Sequence, residues 1–424
     1  MNLRTATLLA CSLPMSFAAQ AQTSFLTDSS ASVLLHNYYF DRDYKDPANP
    51  ALKRELREWA QGVTLDFKSG YTEGPVGFGL DLTSMTGLKL DSSPGRAGTQ
   101  LLPLDSQGRA EDSFSSFGGV AKVRFAQSKL NTGRMVLTLP IAFSSPGRLL
   151  PQTFQGTTFQ SDDFDRLTLM GGYLDRIKFR DSSNYENIRV TAQNGRFLDV
   201  DSSGFSYVGA KYKVAPNLTA SYYHATLNDI YRQDYLWLVH DLPLGPGSLK
   251  TDFRWVRSGE DGSANAGNVD NDNLGVVFRY ALGGHTFSTG YMALFGDTAQ
   301  PYMGRSEPSP TVEGAIATDF LNAKERTWQV RWDYNFAVQG IPGLTAMLWH
   351  MRGDNIELPE RMGGRGLYER ESQAQVAYVI QSGPLQGLGV KVRHAWYRND
   401  FTQAATFRDN NDLRVNIVYS WKLW

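Results

Sequence analysis

The 424-residue chain contains a single cysteine, Cys11, and no apolar run that approaches the roughly 20 residues a membrane-spanning helix needs. One cysteine excludes an internal disulfide, so an exported form must be held by its own hydrogen-bonded framework. Excess charge is missing too: 42 basic residues stand against 43 acidic ones, which excludes a strongly basic nucleic-acid binder. No linker rich in Pro, Ser or Gly divides the chain. Catalytic signatures are lacking: there is no Gly-x-Ser-x-Gly elbow and no His-Glu-x-x-His pair. The six histidines (His36, His224, His240, His285, His350 and His394) have no ligand spacing. The run Asp270 to Asn273 lacks the glycine and distal glutamate of a calcium loop, and Gly74 to Gly79 opens no helix that could hold a phosphate. These absences imply no enzyme, no cofactor, no metal and no nucleic acid.

What is present begins with a leader. Arg4 precedes an apolar stretch from Thr5 to Phe17, interrupted by Ser12 and Pro14, and Ala19-Gln20-Ala21 supplies a small-x-small cleavage pattern. Residues 1–21 are expected to be a secretory signal, and 22–424 the mature domain. A lipoprotein signal ending at Cys11 is the competing reading. It requires a very short apolar core and a bulky Leu9.

The mature chain alternates. Trp328, Val330, Trp332, Tyr334 and Phe336 share one parity, and Gln329, Arg331, Asp333 and Asn335 the other. Successive strand side chains point to opposite faces, so this segment is an extended ribbon with one apolar face. The pattern recurs at the end of the chain, where Leu413, Val415, Ile417, Tyr419, Trp421 and Leu423 alternate with more polar residues before Trp424. Strand pairs flank tight Gly/Pro/Asn turns at residues 215–217, 245–247, 283–284, 340–343 and 383–387. Between the pairs lie long polar connections, Ser258–Asn273, Asp297–Lys324, Gly353–Glu371 and Asn399–Asp412. Strict short-long alternation is the asymmetry of an up-and-down outer-membrane barrel with short periplasmic turns and long extracellular loops. Further strands are expected at Val33–Phe40, Trp59–Phe67, Val76–Leu82, Phe117–Phe125, Met135–Leu139 and Leu167–Tyr173, for an all-β, antiparallel transmembrane barrel of about 18 strands. A barrel of that size encloses an aqueous channel, so the apolar parity, Trp328, Trp332 and Tyr334 among it, faces lipid and the polar parity faces water.

Parity then nominates a basic row on the lumen wall. Lys122 and Arg124 oppose Ala121, Val123 and Phe125; Lys250 and Arg254 oppose Phe253 and Trp255. Arg279 lies between Phe278 and Tyr280, and Arg331 between Val330 and Trp332. Lys391 and Arg393 oppose Val390, Val392 and Trp396, and Arg414 is placed alike on the last strand. Charges on the lipid face cost a few kcal/mol each near the midplane, roughly 2–4, which assigns these residues to the water side. Asp252 and Asp333 are candidate counter-charges.

Several words along the chain resemble the OprD-type, substrate-specific outer-membrane channels of pseudomonads. They include Asn37-Tyr38-Tyr39-Phe40, Glu58-Trp59-Ala60-Gln61-Gly62, Leu149-Leu150-Pro151-Gln152-Thr153-Phe154, Asp229-Ile230-Tyr231-Arg232-Gln233, Gly284-His285-Thr286-Phe287 and Val392-Arg393-His394-Ala395. The resemblance implies an eighteen-stranded barrel, a monomer or weak trimer, in contact with outer-membrane lipid, lipopolysaccharide and the barrel-insertion machinery. It implies that an inward loop around 144–162, with Arg148, Leu150, Pro151, Gln152 and Thr153, narrows the pore. It also implies that a row of Arg and Lys guides small carboxylates (amino acids, peptides, aromatic or other organic acids). Trp349 departs from the family, standing where relatives usually carry an inward Arg; the change would favour a more apolar or aromatic solute. The alternative function is a general diffusion porin with weak size or anion preference, its lumen charges being only a solvated wall.

Overall fold

The computed structural model describes residues 24–46, 49–304 and 314–424. The expected signal, 1–21, lies outside them. Twenty-two strands follow in chain order. The first nine are β1 Ser30–Tyr44, β2 Glu55–Lys68, β3 Val76–Ser92, β4 Ser113–Phe125, β5 Ser128–Met135, β6 Thr138–Leu139, β7 Ala142–Phe143, β8 Thr153–Phe164 and β9 Leu167–Lys178. Next come β10 Ile188–Arg189, β11 Asp201–Ser202, β12 Phe205–Ala215, β13 Leu218–Leu227, β14 Tyr231–Leu244 and β15 Gly247–Glu260. The last seven are β16 Asp270–Leu282, β17 His285–Phe295, β18 Arg326–Asn335, β19 Leu344–Glu357, β20 Arg365–Val379, β21 Gly389–Asn399 and β22 Asn410–Lys422. Eighteen of them form one antiparallel sheet, each paired to its neighbour, and β22 returns to pair with β1 from Ser32↔Lys422 to Tyr44↔Asn410. The sheet is closed, so no strand edge is left unpaired. The ladders β6–β7 and β10–β11 lie outside the wall.

Burial is inverted relative to a water-soluble sheet protein. On β16, Asn271, Asn273 and Val277 are buried while Leu274 and Phe278 are exposed; on β20, Glu369, Glu371 and Gln373 are buried while Val376 is exposed. Phe117 is 67% exposed and Trp421 61%, whereas Asp412 is fully covered. Apolar surface on the outside and polar surface within fits a barrel whose outer solvent is lipid.

The interior is partly filled by segments that fold in from the long connections. Leu101, Leu102, Leu149 and Leu150 pack with Tyr38, Phe40 and Phe114 of the wall; Phe320 and Leu321 pack with Met292, Met347 and Trp349. Ile141 and Val190 join Phe154, Phe205, Tyr231 and Tyr235. Two glycines flank the segment 136–152 that carries Leu149 and Leu150. Gly133 (φ 135°) and Gly156 (φ 157°) oppose one another across β5 and β8, and a Cβ on either would sit 2.1 Å from a backbone oxygen. No L side chain fits there.

Four expectations need correction. Met135–Leu139 is no wall strand: β5 ends at Met135, and Thr138–Leu139 belongs to the small interior ladder. The inward loop is shorter than 144–162, because Thr153–Phe164 is wall strand β8 and the connection covers 136–152. Strands on the long-loop side reach past their apolar alternation, so Ser258–Asn273 shrinks to 261–269, and the link between β13 and β14 is only 228–230. Ladder bonds continue above the bilayer, where side-chain polarity no longer marks them. Finally, Phe336 begins a 3-10 turn capped by Asn335, and Tyr334, expected in lipid, is 8% exposed beneath the rings of His285 and Phe336, at 4.5 and 4.6 Å. Trp328 does face outward, at 39% exposure.

Candidate functional site

Between the inward segments the lumen keeps a cavity of about 690 Å³. Its walls carry Arg42, Arg148, Arg180, Arg279, Arg331, Lys391, Arg393 and Arg414, and Asp319 is the one carboxylate residue among the described residues lining it. Register explains the convergence. Arg279 pairs with Ser288, Ser288 with Arg331, and Arg331 with Trp349; on the other side Gln375 pairs with Arg393, Arg393 with Arg414, and Arg414 with Phe40. Cross-strand neighbours on one face stand about 5 Å apart, so these cations follow one arc of wall from β16 through β22 to β1, with Trp349 and Gln375 between the two groups.

Their states of compensation differ. Arg331 is held by both oxygens of Asp333, each at 2.7 Å, and its guanidinium lies 5.1 Å from the Trp349 ring. Arg414 and Arg42 share Asp412, at 2.9–3.0 Å and 2.6 Å. Among the described residues Arg393 donates only to neutral oxygens, Gln375 Oε1 at 2.8 Å and Gly314 O at 3.3 Å. Arg148 does likewise, to Thr99 O at 2.7 Å and Gly147 O at 2.8 Å. Burial, followed by the charges of Arg414 and Arg180, pushes the Arg148 guanidinium well below the usual arginine range. Three guanidiniums surround one ring: Arg414, Arg148 and Arg42 lie 4.7, 5.3 and 5.4 Å from Phe40. The lone lining carboxylate is already engaged, since Asp319 takes both arms of Arg196 at 2.6 and 2.7 Å.

Parity assigned every member of the proposed row to the lumen face, but the structure does not bring them all to the cavity. Arg279, Arg331, Lys391, Arg393 and Arg414 line it. Lys250 stands opposite Arg279 toward the short-turn end. Arg254 is closed off by Asp252, at 2.7 and 3.0 Å, and stacks on Trp237. Lys122 pairs with Asp81 near the periplasmic turns, and Arg124 lies 4.8 Å from the Tyr71 ring. Asp252 and Asp333 are thus engaged by arginines. Of the loop residues Arg148, Leu150, Pro151, Gln152 and Thr153, only Arg148 lines the cavity. Leu150 and Gln152 are buried as anchors, and Thr153 opens β8. Trp349 is buried, donates to Gln329 Oε1 at 2.9 Å, and lines the cavity.

Two cavity cations were missed. Arg42 shares the parity of Tyr38 and Phe40, aromatic residues that the apolar-outward rule turns to lipid; the register of Phe40 opposite Arg414 is what places this parity inside. Arg180 follows the end of β9 in an irregular segment, where no periodicity exists to find it.

Comparison with known proteins decides the lineage: the profile of the "outer membrane porin, OprD family" matches residues 23–423. The chain belongs to the OprD family. It is 35% identical over 413 residues to the porin-like protein GalP of Pseudomonas putida, covering 97% of this chain and 96% of that one. It is 32% identical to Porin D of Pseudomonas aeruginosa, covering 93% and 91%. The crystal structure of Pseudomonas aeruginosa OpdK with vanillate is 34% identical, with a TM-score of 0.86 over 94% of this chain and all of that one. As an OprD-family porin, the protein is a passive channel of the outer membrane and has no catalytic role. The cavity is its narrow interior.

Proposed function

We propose that this porin takes up small organic acids, with preference for an aromatic carboxylate over a zwitterionic amino acid. The observation that carries the reading is the chemistry of the cavity. Arg393, Lys391 and Arg148 there have no carboxylate at ion-pair distance among the described residues, and the buried rings of Phe40 and Trp349 back the guanidiniums of Arg148 and Arg331. A guanidinium fork matches a carboxylate, and the planar guanidinium also stacks on an aromatic body. An amino acid would also need a free carboxylate for its ammonium, and Asp319 is tied to Arg196. The relative that carries vanillate, an aromatic carboxylate, supports the same solute class. Graded steps suit conduction better than one deep trap, because a solute must also leave. Compensated cations such as Arg331 would supply the shallow steps, and Arg393 with Lys391 the deeper one.

Reconstitution in liposomes and planar bilayers tests this with benzoate, the neutral benzamide, glycine and glucose. Benzoate should enter fastest and block single-channel current. Equal entry of benzoate and benzamide, on an ohmic current that no solute blocks, would instead establish a general diffusion pore.

A further inference from the structure

On four adjacent strands the outer wall ends in a row of arginines. Alternation turns Trp328, Leu348, Val376, Val392 and Trp396 outward, 39–54% exposed. The same parity, nearer the long-loop ends, presents Arg326, Arg352, Arg370 and Arg398. Register sets Arg352 directly opposite Arg370, and Arg370 directly opposite Arg398. Like charges so placed, with Cβ atoms about 5 Å apart, destabilise a sheet.

The protein relieves only part of this repulsion. Asp354 accepts from Arg352 at 2.7 and 3.0 Å. Arg398 spends its donors on neutral oxygens, Tyr397 O, Asn410 O and Asn411 Oδ1, at 2.7–2.9 Å. The nearby Asp400 and Asp409 accept backbone N–H groups, from Tyr368 at 2.9 Å and Asn399 at 2.7 Å. Among the described residues, none of these carboxylates forms an ion pair with Arg370 or Arg398, and Arg370 is exposed.

Height identifies what would complete the row. Trp328 is the cross-strand partner of Arg352, and Trp396 precedes Arg398 by two residues on the same face. Exposed tryptophans mark the level of the lipid headgroups. We propose that Arg352, Arg370 and Arg398 bind the phosphate groups of an outer-leaflet glycolipid, whose acyl chains lie over Leu348, Val376 and Val392. Planar forks take phosphate oxygens in pairs, and the bound anion removes the repulsion between the three cations. Free phosphate shares the headgroup's chemistry but not its acyl contact. The row is on the opposite parity from the lumen cations, so it is independent of solute passage.

The test uses the full barrel in detergent, with native mass spectrometry and a binding titration against three probes: bis-phosphorylated lipid A, dephosphorylated lipid A and inorganic phosphate. Lipid A should bind at least tenfold more tightly than either of the others. Arg370→Gln should weaken it several-fold, the triple Gln variant at least tenfold, and Arg370→Lys should restore part of the loss. Without lipid, Arg370→Gln should melt no lower than the wild type, because it removes an uncompensated repulsion. If the triple variant fails to fold, Arg370→Gln alone carries the test, since that side chain is exposed. Equal binding of phosphorylated and dephosphorylated lipid, unchanged affinity in Arg370→Gln, or inorganic phosphate binding as tightly as the lipid would each overturn the proposal.

Discussion

Replacing Arg393 isolates the effect of a single uncompensated lumen charge. Among the described residues its two hydrogen bonds go to the Gln375 amide oxygen and the Gly314 carbonyl, so Arg393→Ala orphans no carboxylate there and should leave folding intact. A carboxylate about 4 Å from a guanidinium gains roughly 1 kcal/mol in bulk water and roughly 4 at an effective dielectric near 20. Arg393 is half-buried in a wet lumen, which puts its share near the lower bound, about 1.5 kcal/mol, or roughly tenfold in local carboxylate occupancy. The neighbours Lys391 and Arg414 keep part of that attraction, so the measured loss of benzoate flux should be several-fold. Arg393→Glu reverses the charge and should cost about the square of that factor. The assay is benzoate entry into proteoliposomes, repeated at 0.1 M and 1 M salt, where the screening length falls from about 10 Å to about 3 Å. The difference between variants should shrink at high salt. Wild-type entry by the charge-reversed protein in low salt would refute the guiding role of this residue.

Arg254→Ala should behave differently. It removes the bidentate partner of Asp252, which is 6% exposed but keeps Arg279 at 3.4 Å and the Trp237 indole N–H at 2.9 Å, so the thermal midpoint of the barrel should drop, by less than the roughly 3–5 kcal/mol of a fully broken buried pair, while benzoate flux changes less than in Arg393→Ala. Excising 145–150 removes Arg148 and the anchors Leu149 and Leu150 without touching β8; single-channel conductance should rise, and an unchanged value in a folded deletion would show that this segment does not restrict the pore. Glu325, held above the ordinary carboxylate range by burial and then by the charge of Glu369, is the pH probe. The folded state keeps this proton longer than the unfolded one, so its stabilising contribution is complete below about pH 4.3 and fades as pH rises through the raised value. Glu325→Gln should flatten that fall in melting temperature, and parallel curves for the two proteins would dismiss the assignment.

Period-two alternation, with the short-long rhythm of the connections, was enough to give the barrel, and parity assigned the basic row to its water side. That follows because a strand has only two faces, and because lipid and water sort them with several kcal/mol per misplaced charge. The family resemblance put an inward loop at 144–162, whereas the connection between the wall strands covers 136–152. Three matters were left to the tertiary structure. Strand ends past the bilayer were hidden, since the ladder from Val256↔Asn273 to Gly259↔Asp270 continues where neither solvent sorts side chains. The wall side of the inward segment was hidden too, because Thr153–Phe164 resumes pairing through a glycine bend that hydropathy does not register. Most of all, parity gives direction but neither height nor partner. Arg254 and Arg393 look alike in sequence, yet one closes on a carboxylate two residues away and the other, among the described residues, reaches only neutral oxygens. Which lumen cations stay available to a passing anion depends on distances between strands and on the loops folded across them, and those are fixed only when the sheet closes.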